Sequence, residues 1–236
     1  MKNTILKYYG VPLVLSVILL ALFPILPSCG GGGGGGPLYS NATLTGVWMA
    51  KATVGPDTLI DSFRFDGIGS MVEEYILNPG TLPSPYNVQA DGSFIYDMPF
   101  ANDPTITVTG KFTSATAATI GATVSGTAYS GTLRKVMDLG ACQGTWSGTM
   151  SAPLANSFQI TVDNTGTIVS GSGFATSFSG KLFCESGDAT GIMITNASSP
   201  LDRVQFHSGT VVTGATVTIS GNYETNNGNG TYTLVK

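Results

Sequence analysis

The sequence predicts an all-β protein: two tandem, related antiparallel β units, small barrels or sandwiches, behind an apolar leader and a glycine run. Three observations carry this expectation. Apolar and small polar residues alternate with period two, as in Ile106/Val108, Ile120/Ala122/Val124, Val217/Ile219 and Tyr232/Leu234, which is the pattern of strands with one buried face. Outside the leader no stretch of ten residues sustains a helical period, and glycine recurs every few residues, which weakens any helix. Finally, the two tryptophans stand in similar settings about one hundred residues apart, Leu44-Thr45-Gly46-Val47-Trp48 and Cys142-Gln143-Gly144-Thr145-Trp146.

The elements that follow each tryptophan support a repeat. Ser62-Phe63 leads to Asp66-Gly67-Ile68-Gly69-Ser70-Met71-Val72, and Ser157-Phe158 leads to Asp163-Asn164-Thr165-Gly166-Thr167-Ile168-Val169. Both read as strand, Asp/Gly turn, strand. Further on, Thr105–Phe112 aligns with Thr216–Tyr223, and Gly126–Leu133 with Gly230–Leu234. Short turn signals such as Ala90-Asp91-Gly92-Ser93 favour antiparallel hairpins over crossover helices. About six to eight short strands per copy make a small barrel or sandwich.

The chain begins MKNTILKYYG, with Lys2 and Lys7 and no acid, and continues VPLVLSVILLALFPIL without a charge. This is the charged start and apolar middle of a secretory signal. The apolar run is shorter than the roughly 20 residues a membrane-spanning helix needs, and Pro24 and Pro27 break its end. Next come Leu26-Pro27-Ser28-Cys29 and seven glycines. A phosphate-cradling loop needs a strand before its glycines, a helix after them and a Lys-Ser/Thr pair, and none of these is present in the pattern. Seven glycines instead make a flexible tether with a root-mean-square reach of about 15 Å.

Leu26-Pro27-Ser28-Cys29 resembles the lipobox of bacterial lipoproteins. The resemblance implies cleavage before Cys29, diacylation of its thiol, and attachment of the body to a membrane through lipid. Gly30, standing where an Asp would mark inner-membrane retention, implies sorting to the outer membrane. The expected organisation is a signal peptide at 1–28, lipidated Cys29 with its tether at 29–41, a first β unit at 42–138 and a second at 139–236.

Without residues 1–28 the chain keeps eight of its ten Lys+Arg and all 14 Asp+Glu, an acidic body that argues against nucleic acid as a partner. With Cys29 assigned to lipid, Cys142 and Cys184 remain. An oxidising exported compartment favours a disulfide between them. A metal site is the rival reading, and the single histidine, His207, weakens it.

Catalytic chemistry finds little to build on. A hydrolytic triad needs a nucleophile, a base and an orienting group, and His207 is the only imidazole, on a strand-like segment that predicts a surface or turn-edge position. The one adjacent acidic pair, Glu73-Glu74, points to opposite faces if it lies on a strand. Asp163-Asn164-Thr165-Gly166 and Asn226-Asn227-Gly228-Asn229-Gly230 offer oxygens but match no twelve-residue calcium loop. No enzyme, cofactor or metal is expected.

The Gly-x-Trp at the head of each copy resembles the opening strand of lipocalin-like and avidin-like up-and-down barrels. That resemblance implies a tryptophan plugging the closed end, with a basic side chain of the last strand packed on it: Arg134 or Lys135 in the first copy, Lys236 in the second. Two tryptophans filling β-sandwich cores are the alternative. The first copy clusters Tyr75, Tyr86, Phe94, Tyr96 and Phe100, and its loop Leu77–Tyr86 is proline-rich, with Tyr86 as an exposed candidate. Trp48, Tyr75, Tyr86 and Tyr96 are therefore the candidate ligand contacts. The expectation is a non-catalytic, lipid-anchored envelope protein that binds a small ligand or an envelope partner, the alternative being a structural or adhesive surface protein without a small-molecule pocket.

Overall fold

The computed structural model describes residues 38–54, 57–100, 103–124, 126–174, 178–195 and 203–236. The leader, Cys29 and the glycine tether lie outside the described residues. Among the described residues a short 3-10 helix, Asn41–Leu44, precedes sixteen strands. The first eight are β1 (Gly46–Val54), β2 (Asp57–Phe65), β3 (Ser70–Glu74), β4 (Ser84–Val88), β5 (Ser93–Phe100), β6 (Asp103–Ser114), β7 (Ala117–Val124) and β8 (Thr127–Lys135). Each pairs antiparallel with the next, and β8 returns to β1 to close the barrel.

The second eight are β9 (Gly144–Met150), β10 (Ser157–Val162), β11 (Ile168–Ser172), β12 (Ser179–Glu185), β13 (Asp188–Ile194), β14 (Arg203–Val212), β15 (Thr218–Thr225) and β16 (Gly228–Val235). Here β16 pairs with β9, and the sheet ends on β11 and β12. These ends meet through a bridge between Thr167 and Lys181, the Leu182 amide donating to the Gly166 carbonyl at 2.9 Å and Lys181 Nζ donating to Thr167 Oγ1 at 2.7 Å. The second unit is thus a barrel whose seam carries few backbone bonds.

The period-two pattern becomes two cores. Trp48, Phe63, Phe65, Tyr86, Phe94, Tyr96 and Phe112 fill the first barrel, and Trp146, Phe158, Ile160, Phe206, Tyr223 and Tyr232 the second. The repeat shows in matching local chemistry. Trp48 Nε1 donates to the Leu44 carbonyl and Trp146 Nε1 to the Cys142 carbonyl, both at 2.8 Å and both four residues back. Asp66 Oδ1 accepts the amides of Ile68, Gly69 and Ser70, and Asp163 Oδ1 those of Thr165 and Thr167. In each turn the carboxylate replaces the missing ladder partners.

One part of the expected alignment does not survive. Thr105–Phe112 lies on β6, the sixth strand of its barrel, while Thr216–Tyr223 leads into β15, the seventh of its own. Alternating Thr and Val ending in Gly suits any strand with one wet face, so likeness in such a segment does not report strand order. Gly126–Leu133 and Gly230–Leu234 do fall on the eighth strands, β8 and β16.

Cys142 and Cys184 form a disulfide, which ties the segment before β9 to β12 on the weakly bonded side of the second barrel.

Candidate functional site

The two ends of the first barrel differ. At the Trp48 end, Leu44 and Trp48 are fully buried, Tyr39 stacks on Phe112 with ring centroids 5.0 Å apart, and Asn41 reaches from the 3-10 helix to accept the Val88 amide at 2.8 Å. Lys135 Nζ stands 5.9 Å from the centre of the Trp48 ring, and Lys236 Nζ stands 4.7 Å from that of Trp146. The glycine two residues before each tryptophan makes room for this lysine. Gly46 and Gly144 have φ of +106° and +131°, and a Cβ on Gly144 would lie 2.7 Å from Lys236 Cδ. A side chain there is strained twice, by the backbone and by the lysine.

Toward the other end the wall is lined by smaller or less tightly held side chains. Ala50, Met98, Ile106, Ile120 and Ala122 pack against the core and stay only partly buried. They follow the inward alternation of Trp48, Tyr96, Val108 and Ala118, so their residual exposure faces the inside of the barrel.

Two polar side chains sit between these zones. Glu74 pairs across the ladder with the core residue Phe63 and so faces inward, while its neighbour Glu73 faces out to Arg64 at 3.5 Å. Glu74 Oε2 accepts the Gly80 amide at 3.3 Å, and Glu74 Oε1 is buried without a partner among the described residues. Burial, reinforced by the nearby Asp61 charge, pushes the Glu74 carboxyl up to about 7. Tyr96 is 1% exposed and its hydroxyl is likewise buried without a partner. Burial first, then the charges of Asp61 and Glu74, hold its phenol well above the ordinary range.

Asp61 connects this interior to the second barrel. The ladder between β2 and β3 ends at Phe63 and Glu74, with one further bond from the Tyr75 amide to the Ser62 carbonyl. The chain then leaves, and although β1 pairs the other side of β2 throughout, the Ile60 and Thr58 carbonyls on the β3 side have no strand partner among the described residues. The second barrel fills that place. Thr190 Oγ1 lies 2.7 Å from the Ile60 carbonyl, and the Ser208 hydroxyl bonds the Thr58 carbonyl. Both hydroxyls sit where the ladder register shifts, in β13 at Ala189–Gly191 and in β14 at His207–Thr210. Such bulges re-aim side chains, and Ser208 takes a φ of +48° to do so.

Beside them, Gln205 Nε2 donates to Asp61 Oδ1 at 2.7 Å while Gln205 Oε1 accepts the Leu77 amide at 2.6 Å. His207 lies between two carboxylates, with Nδ1 3.5 Å from Asp61 and Nε2 3.3 Å from Glu224. Burial pushes its imidazole down, but the hydrogen bonding and charge of Asp61 and Glu224 outweigh this and raise it to about 9. His207 is 7% exposed, which corrects the expected surface or turn-edge position. Its strand does face outward from the second barrel, but that outward face is covered by the first.

An apolar cluster surrounds the polar contacts: Val47, Met49, Ile60, Tyr75 and Val136 against Phe183 and Ile192, with the Tyr75 and Phe183 rings 5.1 Å apart. Lys51 and Asp188 pair at its rim at 2.8 Å. The four candidate contact residues are therefore divided. Trp48, Tyr86 and Tyr96 lie in the first barrel, while Tyr75 lies outside it, between the barrels, with its hydroxyl bonded to Glu73. Tyr86 is not an exposed loop residue. It is 5% exposed on β4 and donates to the Asn41 carbonyl at 3.1 Å.

Asp61, Gln205 and Glu224 went unremarked in the sequence, and Glu74 was weighed only as half of an adjacent acidic pair. One signal of the contact is there to read: Leu182-Phe183-Cys184 and Gly191-Ile192-Met193-Ile194 break the apolar/polar alternation kept elsewhere, as strands buried on both faces do. Among the described residues no group of three or more His, Cys, Asp or Glu is placed to hold a metal ion. Comparison with protein-family models, with curated proteins and with solved structures finds no match.

Proposed function

We propose that this chain is a lipid-anchored, non-catalytic protein of the cell envelope, held at the outer membrane through Cys29, that binds a small ligand inside its first barrel. The observation that carries the reading is the contrast between the barrel's two ends. The Trp48 end is sealed by buried rings, while the far end keeps inward-facing Ala50, Met98, Ile106, Ile120 and Ala122 partly exposed. Close packing is the norm in cores without a ligand, and a cavity with apolar walls and a few polar groups is the usual form of a small-molecule site.

A structural or adhesive role is the second reading, favoured by the rings of both barrels being buried and by the apolar contact that joins the barrels. Native mass spectrometry of the full chain extracted from its own membrane separates the two. A bound mass that disappears on unfolding supports the binder, and a bare protein supports the structural role. In the same experiment the mature N-terminus tests the anchor: a diacylated Cys29 is expected, and an unmodified cysteine or cleavage elsewhere contradicts it.

A further inference from the structure

We infer that the first barrel takes a small organic cation, an alkylammonium-type ligand, held by Glu74 and Tyr96 against the aromatic wall; this rests on the ligand-binding reading above. The site has three parts. The first is a buried carboxyl with an unpartnered oxygen. Among the described residues Glu74 makes no ion pair, and its Oε1 has no hydrogen-bond donor. The second is the Tyr96 hydroxyl, buried at 1% exposure, unpartnered, and acted on by the charges of both Glu74 and Asp61. The third is the ring wall beneath them, where Phe63 and Phe65 lie 6.3 Å and 5.5 Å from Tyr96.

The basic residues of this part of the chain stand elsewhere. Between residues 38 and 138 there are Lys51, Arg64, Lys111, Arg134 and Lys135. Lys51, Arg64 and Lys111 pair with Asp188, Glu73 and Asp91 on the outside, Arg134 is exposed, and Lys135 sits over Trp48 at the closed end. His207 serves Asp61 and Glu224 from the second barrel. The interior thus presents acid, hydroxyl and π-faces with no cation of its own. A buried carboxyl oxygen and a buried hydroxyl left unpaired are costly, and an ammonium satisfies both while the rings stabilise its alkyl shell. A neutral apolar ligand leaves the cost in place, and an anion adds to it.

Isothermal titration calorimetry on the detergent-solubilised full chain tests this with n-butylammonium, its neutral counterpart 1-butanol, and the neutral dye Nile red as a probe of the lumen alone. The expected result is butylammonium binding at least tenfold tighter than 1-butanol, with Glu74→Gln abolishing that preference and Tyr96→Phe reducing it. Should Glu74→Gln fail to fold, the comparison of amine with alcohol on the unaltered chain and the Tyr96→Phe result still decide. Equal binding of amine and alcohol, or a preference that survives Glu74→Gln, overturns the cation and leaves the lumen reading standing. If neither butyl probe binds, the cation is overturned, and failure of Nile red as well overturns the lumen reading with it.

Discussion

Two buried ionisable residues, His207 and Glu74, set how this fold responds to pH. His207 is raised from its ordinary 6.5 to about 9 in the folded state, so its contribution is fully present below about pH 6.5 and disappears as pH rises through 9. A shift of that size corresponds to about 3 kcal/mol. The groups facing it are Asp61 on β2, Gln205 on its own strand and Glu224 on β15. Glu74 is raised from 4.5 to about 7, so the unfolded chain loses this proton first and stability also falls as pH rises between those values. Asp66 and Asp163, which their turn hydrogen bonds hold below the ordinary carboxylate value, act in the opposite sense, and only in acid. Stability measured by urea unfolding is therefore expected to be greatest near pH 5 and to decline toward pH 9.5. His207→Gln is expected to flatten the decline above pH 6.5, and Glu74→Gln the part below 7. An unchanged slope above 6.5 in His207→Gln would show that the imidazole is not the group titrating there.

At the level of the single element, the short Gly-x-Trp motif concentrates several constraints. The glycine supplies a positive φ and space for the last-strand lysine, the tryptophan bonds back four residues, and the lysine covers the ring. Gly144→Ala combines an unfavourable φ with a Cβ 2.7 Å from Lys236 Cδ, and is expected to cost about 1–3 kcal/mol. Gly46→Ala meets Lys135 only at 3.5 Å and is expected to cost less, because the φ penalty acts alone. Equal losses in the two denaturation curves would refute the lysine part of this account. The disulfide acts on another element. Its sequence separation of 42 residues gives about 4 kcal/mol in the chain-entropy model, and the second barrel, whose β11/β12 seam has one bridge among the described residues, is where the loss is expected to fall. Comparing reduced and oxidised protein by amide hydrogen exchange should show lost protection in β11 and β12 and little change in β1 to β8.

Across the whole molecule, the barrels share a contact with its own apolar centre. It is reinforced where the β3 side of β2 is left unpaired, so part of the first barrel's wall is completed by Thr190, Gln205 and Ser208 of the second. That arrangement predicts a single cooperative unfolding transition for the described body. Phe183 is 1% exposed and packs on Tyr75, so Phe183→Ala removes the centre of the contact at a cost of about 3–5 kcal/mol. The expected result in calorimetry is a split into two transitions, one per barrel. One sharp transition in the variant, merely moved to lower temperature, would mean that the barrels are coupled by something other than this cluster.

The strands, their pairing of inward and outward residues, the doubled architecture and the cysteine pair were legible in the sequence, because each depends on local patterns: period-two alternation, Asp/Gly turns, and a tryptophan with a glycine two residues before it. Which strands correspond between the copies was not fully legible, since Thr, Val and Gly recur on every half-buried strand. Nor was the position of His207, Tyr75 or Tyr86. Alternation says which residues leave a barrel's own core but not whether another surface covers them. The early departure of the chain after Glu74 opens one side of β2, where Thr190 stands on the outward face of β13 and the bulge in β14 turns Ser208 to meet it. Those are events between segments more than one hundred residues apart. The sequence by itself determined two tandem antiparallel β units, each headed by a Gly-x-Trp, and left barrel and sandwich both open. Only the tertiary structure decided that they lean on each other, because burial of an outward face depends on what else occupies the space beside it.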